Sequence, residues 1–228
     1  MFVIKNQKIR SVLKVAIPFV LIPAAAVSGV LLFDEQKHLI VSLTVAVLSL
    51  LLFYTGFEKK STGTRRMVLV AIMTAISVLG RFIPFFKPIT AITVITAMYL
   101  GSEAGFLVGS LSALISNFYF GQGPWTAFQM LSWGLIGWIA GLFAMQLKKS
   151  RIMLYIYGLL SGIMFSLIMD IWTVLWYNAG FDKKLYIASI TAAIPHTILY
   201  AVSNLIFLYV LAKPFGEKME RIKLKYGV

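Results

Sequence analysis

LKVAIPFVLIPAAAVSGVLLF, residues 13–33, is a run of 21 residues interrupted by one charge, Lys14. As a helix rising ~1.5 Å per residue it covers about 31 Å, the thickness of a bilayer's hydrocarbon core. The pattern repeats along the chain. Further apolar runs cover about 38–57, 66–83, 88–101, 103–120, 125–147, 152–177 and 187–212. The run 88–101 is short and stops at Gly101, which is compatible with a helical hairpin or a tilted, broken helix. Over all 228 residues, 60% are hydrophobic and 13% charged, whereas a soluble domain is about 25% charged. The expectation is an all-α integral membrane protein with eight spans.

Charge placement orients those spans. The chain has 21 Lys+Arg against 8 Asp+Glu, a net charge of +13. Eight spans put both termini on one side. That side holds 16 of the 21 basic residues, in clusters at 5–14, 59–66, 148–151 and 213–225. Lys37, Arg81, Lys87, Lys183 and Lys184 fall on the other. Both ends are therefore expected in the cytoplasm. The basic balance reads as topology and not as a nucleic-acid surface.

The basic start and Ala24-Ala25-Ala26 also resemble a cleavable signal peptide. The apolar run continues to Phe33, however, so a retained helix is the expectation. The chain divides into residues 1–60, with few polar groups inside two extra helices, and residues 61–228, which carry most of the rest. The basic linker EKKSTGTRR (58–66) joins them.

Several chemistries are excluded. With no cysteine, there are no disulfides, thiolate nucleophiles, Cys-ligated zinc sites or iron–sulfur clusters. Neither G-x-x-x-x-G-K-[ST] nor H-E-x-x-H occurs. Nor does an Asp-rich pair of the kind that would hold magnesium. His38 and His196 are too far apart in sequence to suggest a metal site. No enzyme and no intrinsic cofactor or metal is expected.

The polar residues inside the spans carry the remaining signal, because a charge in hydrocarbon needs a cavity or a partner. Asp170 shares a helix face with Ser166, Thr173 and Tyr177. His196, Tyr200 and Asn204 recur every four residues. Thr74, Ser77 and Arg81 form a stripe, and Asn117 closes a span near Gln122. Arg81, Asn117, Asp170 and His196 share one depth in the outer half. They either line an outward-opening pocket or serve packing, with an Arg81–Asp170 ion pair.

Small residues recur at Gly101, Gly105 and Gly109, continuing to Ser112 and Ser116, and at Gly137/Gly141 and Gly158/Gly162. Such spacing lets helices approach closely. In the third run Ala71 and Ala75 share a smooth face, about 100° from the Thr74/Ser77/Arg81 face. One face suits a docking helix and the other a pocket. The segment FGQGPWT (120–126), continuing to Gln129, must break the helix at its glycines and proline. Phe120 and Trp125 supply flat apolar surface there, and Gln122, Thr126 and Gln129 supply hydrogen bonds. That mix suits a neutral, partly aromatic organic ligand, or a tight loop anchored by an interfacial Trp.

Residues about 63–213 resemble the substrate-binding S components of energy-coupling factor (ECF) vitamin transporters. The resemblance rests on Ala71-x-x-x-Ala75, Phe85-Phe86-Lys87-Pro88, Gly101-Ser-Glu-Ala-Gly105, Val108-Gly109-Ser-Leu-Ser112, FGQGPWT, Gln129-Met130 and Trp133-Gly134. It implies a six-helix core in a prokaryotic cell membrane, with an outward-facing vitamin pocket. Loops near 83–88, 120–125 and 178–186 would close that pocket. Arg81, Phe85, Asn117, Phe120, Gln122, Trp125, Gln129, Asp170, Tyr177, His196 and Tyr200 are the expected pocket residues. The resemblance also implies docking of the Ala71/Ala75 face onto a membrane T component driven by two cytoplasmic ATPases, with transport by toppling. The FGQGPWT branch resembles corrinoid-linked S components, so cobalamin is the first expected ligand, with His196 a conceivable cobalt ligand. Riboflavin or another flavin follows, then pantothenate, folate or a queuosine precursor. A self-sufficient proton-coupled transporter using Asp170 or His196 is the rival class. Two added N-terminal helices depart from the six-helix pattern and put access to the docking face in question.

Overall fold

A computed structural model describes residues 6–32, 37–56 and 60–226. Every regular element among them is a helix. Lys5, Lys59 and Phe33, which entered the charge and span expectations, lie outside the described residues. The elements are α1 (Gln7–Ala16), α2 (Ile22–Leu32), α3 (His38–Thr55), α4 (Lys60–Gly80), α5 (Ile89–Leu100), α6 (Ser102–Phe120), α7 (Trp125–Leu142), α8 (Ala144–Lys149), α9 (Arg151–Asn178) and α10 (Lys183–Tyr226). Among the described residues each of the eight apolar runs is mainly helical, although α4 stops at Gly80 inside the 66–83 run and the 125–147 run is divided at Phe143. Among the described residues, four helical stretches are long and apolar enough to cross a membrane: Gln7–Leu32, His38–Thr55, Arg151–Asn178 and Lys183–Tyr226.

A π-helical turn at Ile17–Leu21 joins α1 to α2. Pro18 lies within it and Pro23 two residues beyond, and neither can donate into the helical ladder, so a widened turn takes up the mismatch. Helix α10, by contrast, runs through both Pro195 and Pro214.

The centre of the molecule is α5. Every one of its residues is buried except Tyr99, which is partly so. At 12 residues it is only about 18 Å long, neither a hairpin nor a broken span but a short, enclosed helix. Its neighbours α6 and α7 cross backbone to backbone. A side chain at Gly105 would meet the Gly137 carbonyl at 2.9 Å, and one at Gly109 the Trp133 carbonyl at 2.5 Å. Ser110 Oγ donates across the same crossing to Met130 O at 2.9 Å. The small-residue stripe is spent on this contact, as dispersion packing between helices in lipid requires. Gly162 does the same for α9 against Ala201 of α10.

One end of the bundle is tied at Glu103, which pairs with Lys14 of α1. Gly101 turns the chain from α5 into α6 at φ 94°, a left-handed conformation that glycine adopts without penalty. There Arg66 caps α5, donating to Leu100 O and, at 3.1 Å, to Gly56 O. The α1–α3 segment packs mainly on α6, α7 and α9. At the same end α10 buries Gly216 and Met219, Gly216 lying against Tyr99, and the Lys148 ammonium sits 4.1 Å over the Tyr99 ring.

Candidate functional site

The opposite end of the bundle gathers the polar groups. Helix α4 stops at Gly80, where a side chain would collide with the Pro88 ring. The close turn carries Arg81 inward, to 8% exposure. Its Nη1 donates to Asn117 Oδ1 at 2.6 Å and to Ser116 Oγ. The rings of Phe120 and Trp133 lie 5.1 and 5.5 Å from its Cζ, within cation–π range. Asn117, fully buried, extends the network. Its Nδ2 donates to Thr126 Oγ1 and to Gln129 Oε1, both at 2.9 Å.

The break between α6 and α7 holds these partners in register. Gly121 ends α6 at φ 105°, a conformation that other residues rarely adopt. Gln122 Nε2 turns back to Leu114 O at 2.9 Å, and Gly123 N donates to Thr126 Oγ1. Trp125 opens α7 and meets Trp172 of α9 edge to face at 6.0 Å.

An aromatic wall adjoins the network. Trp133 stacks on Phe165 at 4.6 Å, and Phe165 meets Tyr200 at 5.0 Å. Tyr200 is also the electrostatic neighbour of Arg81. Over Phe120 stands a second cation, Lys87, at 5.5 Å. Its backbone is pinned to α10: the Lys87 N–H donates to Ser203 Oγ at 2.9 Å, and that hydroxyl donates to Lys87 O. Burial first, and then the Arg81 charge, pulls the Lys87 ammonium below the ordinary lysine range. Among the buried polar atoms without a hydrogen-bond partner are Arg81 Nε, Gln122 Oε1 and Trp172 Nε1. Trp133 and Phe165 stack face to face and Tyr200 meets Phe165 edge-on, so the rings form an angled cluster beside unspent donors and acceptors, a mix that suits an organic ligand. Among the described residues, no group of three His, Cys, Asp or Glu could hold a metal ion.

Residues 61–220, the stretch that builds this site, match the family described as ECF-type riboflavin transporter, S component. The chain belongs to this family. It is also similar to a UPF0397 protein of Aliivibrio salmonicida, at 27% identity over 160 residues, covering 65% of this chain and 86% of the relative. A UPF0397 protein of Vibrio atlanticus is 29% identical over 173 residues, covering 66% and 92%. No solved structure matches the chain.

The S component is thus membrane-embedded and a transport subunit. Of its expected pocket residues, Arg81, Asn117, Phe120, Gln129 and Tyr200 come together, with Gln122 and Trp125 in the adjoining loop. Four others do not join them. Asp170 forms no ion pair with Arg81. It is 7% exposed, its Oδ2 has no partner, and it lines a separate cavity of about 120 Å³ between α9 and α10, with Ser166 and Thr197. Phe85 (77% exposed, φ 61°) and Tyr177 (75% exposed) point outward. His196 is exposed too, although Asn204 of the same stripe is buried and donates to Gly158 O at 3.1 Å. Ala71 and Ala75 are exposed, while Thr74, Ser77 and Arg81 face inward.

The expected pocket set lacks Ser116, Trp133, Phe165, Lys87 and Ser203, and Thr126 enters the sequence reading only as a hydrogen-bonding group of the FGQGPWT loop. In the sequence Ser116 stands in the small-residue stripe, and Trp133 only in a family motif. A usable signal was present on α7: Gln129 and Trp133 are four residues apart, so one helical face carries both the amide and the ring.

Proposed function

We propose that this S component binds a flavin of the riboflavin class on the outer side of the membrane. It would deliver the flavin while docked to a T component with two ATPases. The observation carrying this is the Trp133–Phe165–Tyr200 wall beside the Arg81–Asn117–Gln129 network, in a family described by riboflavin. A tricyclic ring offers one face to stack and an edge of acceptors and donors for the amides. The corrinoid expectation gains no support from that family. The FGQGPWT groups it relied on are also engaged internally: Gln122 with Leu114, and Thr126 with Asn117 and Gly123. A proton relay using Asp170 or His196 gains no support, since Asp170 is buried in a small cavity between α9 and α10 and His196 is exposed.

The test is quenching of riboflavin fluorescence by the purified chain in detergent, with cobalamin in parallel. Nanomolar binding, about −12 kcal/mol, is expected for riboflavin. Saturation by cobalamin alone would overturn the flavin reading.

Docking is proposed through α4. Ala71 and Ala75 lie on an exposed apolar face with Val68, Ile72 and Leu79, and small residues there permit close helix approach. Ala71→Trp or Ala75→Trp is expected to weaken capture by the T component about 10-fold or more, an overpacking cost of ~1.4 kcal/mol. Ligand titration should stay at the wild-type value. Normal capture on co-purification, or loss of ligand binding, would move the docking surface elsewhere. In this arrangement both termini and the Glu103 end lie in the cytoplasm.

A further inference from the structure

Two cations converge on one ring at the binding end, and neither has an anion. Arg81 is buried with only neutral acceptors, Ser116 Oγ and Asn117 Oδ1, and the faces of Phe120 and Trp133. Its Nε–H is enclosed and unbonded. Lys87 stands over the same Phe120 ring, close enough for the two charges to repel. Neither forms an ion pair among the described residues. The buried carboxylate at this end, Asp170, faces a different cavity, and Asp182 accepts from Leu185 N at the start of α10.

An enclosed guanidinium stays charged, because its pKa is too high for it to shed the proton. Neutral acceptors and ring faces compensate it only in part, and a second cation nearby worsens the balance. An arrangement of this kind is completed by an anion that accepts from Arg81 Nε and from the Lys87 ammonium together. A phosphate or carboxylate offers the oxygens for that fork.

We propose that the ligand of this site carries an anionic group, a phosphate or carboxylate attached to a planar aromatic body, seated between Arg81 and Lys87. The planar body rests on the flavin reading above; the anion rests on the two cations alone.

The experiment compares riboflavin with riboflavin 5′-phosphate, which differ by the anion only, on the full chain. The phosphate ester is expected to bind at least about 10-fold more tightly. In Arg81→Gln the ratio between the two should fall to about one, in Lys87→Met it should fall part of the way, and Arg81→Lys should restore some of it. Thermal melting of each variant, read beside the titration, separates lost preference from lost fold; Lys87, less buried, gives the second, safer variant. Tight riboflavin binding with no preference for the ester overturns the anion and leaves the flavin reading intact. If neither flavin binds, the flavin reading fails. Folate, a planar carboxylate, then decides the anion: Arg81-dependent binding upholds it, and none overturns it.

Discussion

Asn117→Leu is expected to weaken ligand binding by about 100-fold, the largest loss for any single side chain at the site. Leucine nearly matches the amide in shape, so packing changes little and the effect isolates the polar atoms. Asn117 accepts from Arg81 at 2.6 Å and donates to Thr126 and Gln129 at 2.9 Å. A hydrogen bond to a charged group is worth ~1.5–3 kcal/mol, and each stranded buried partner costs ~1–3 kcal/mol. Some of that loss falls on folding and some on binding. About 3 kcal/mol in binding corresponds to the 100-fold change. Asn117→Asp is the informative contrast. A carboxylate there would pair with Arg81, raise the melting temperature and still weaken binding, because the cation would already be occupied. Fluorescence titration and melting curves on both variants check this. Wild-type affinity in Asn117→Leu would remove the network from the site.

The second large effect is on stability. In Gly137→Leu the new Cβ would run into the Gly105 backbone and lie 2.8 Å from Thr93 Cγ2. Backbone cannot swing aside as a side-chain tip can, so the α6–α7 crossing must open around the buried helix α5. Overpacking typically costs ~1–3 kcal/mol, and a clash with backbone at a central crossing exceeds that. Little folded protein should be recovered from detergent extraction. Gly158→Ala is the control at the α9–α10 crossing. Its nearest obstacle is Leu208 Cδ1, the end of a flexible side chain, and other atoms stand 3.8 Å away. It should fold and melt within a few degrees of wild type. Equal recovery of the two variants would contradict the crossing.

The helical architecture was legible because apolar length alone marks a span, and the break at FGQGPWT because glycine and proline cannot continue a helix. The two faces of α4 were legible from the 100° period: Ala71 and Ala75 out, Thr74, Ser77 and Arg81 in. The partner of Arg81 was not. Position along the chain gives the depth of Asp170, but not the direction it takes around its helix axis. That direction is toward α10, and Arg81 found Asn117 instead. The stripe His196–Tyr200–Asn204 failed for a related reason. It is inward at Asn204 and exposed one full turn beyond Tyr200, so even spacing did not keep it in the interior. Lys87 was legible only as part of a motif in the 83–88 loop, because its place beside Phe120 depends on that loop being pinned to Ser203, 116 residues away.

The added N-terminal segment lies on α6, α7 and α9, while the small-residue face of α4 stays open. The surface that the N-terminal segment covers is therefore not the α4 face proposed above for docking. On the docking proposed above, such a layout leaves that contact indifferent to the added girth. A competition assay with a plain six-helix subunit should then find the two exchanging on equal terms.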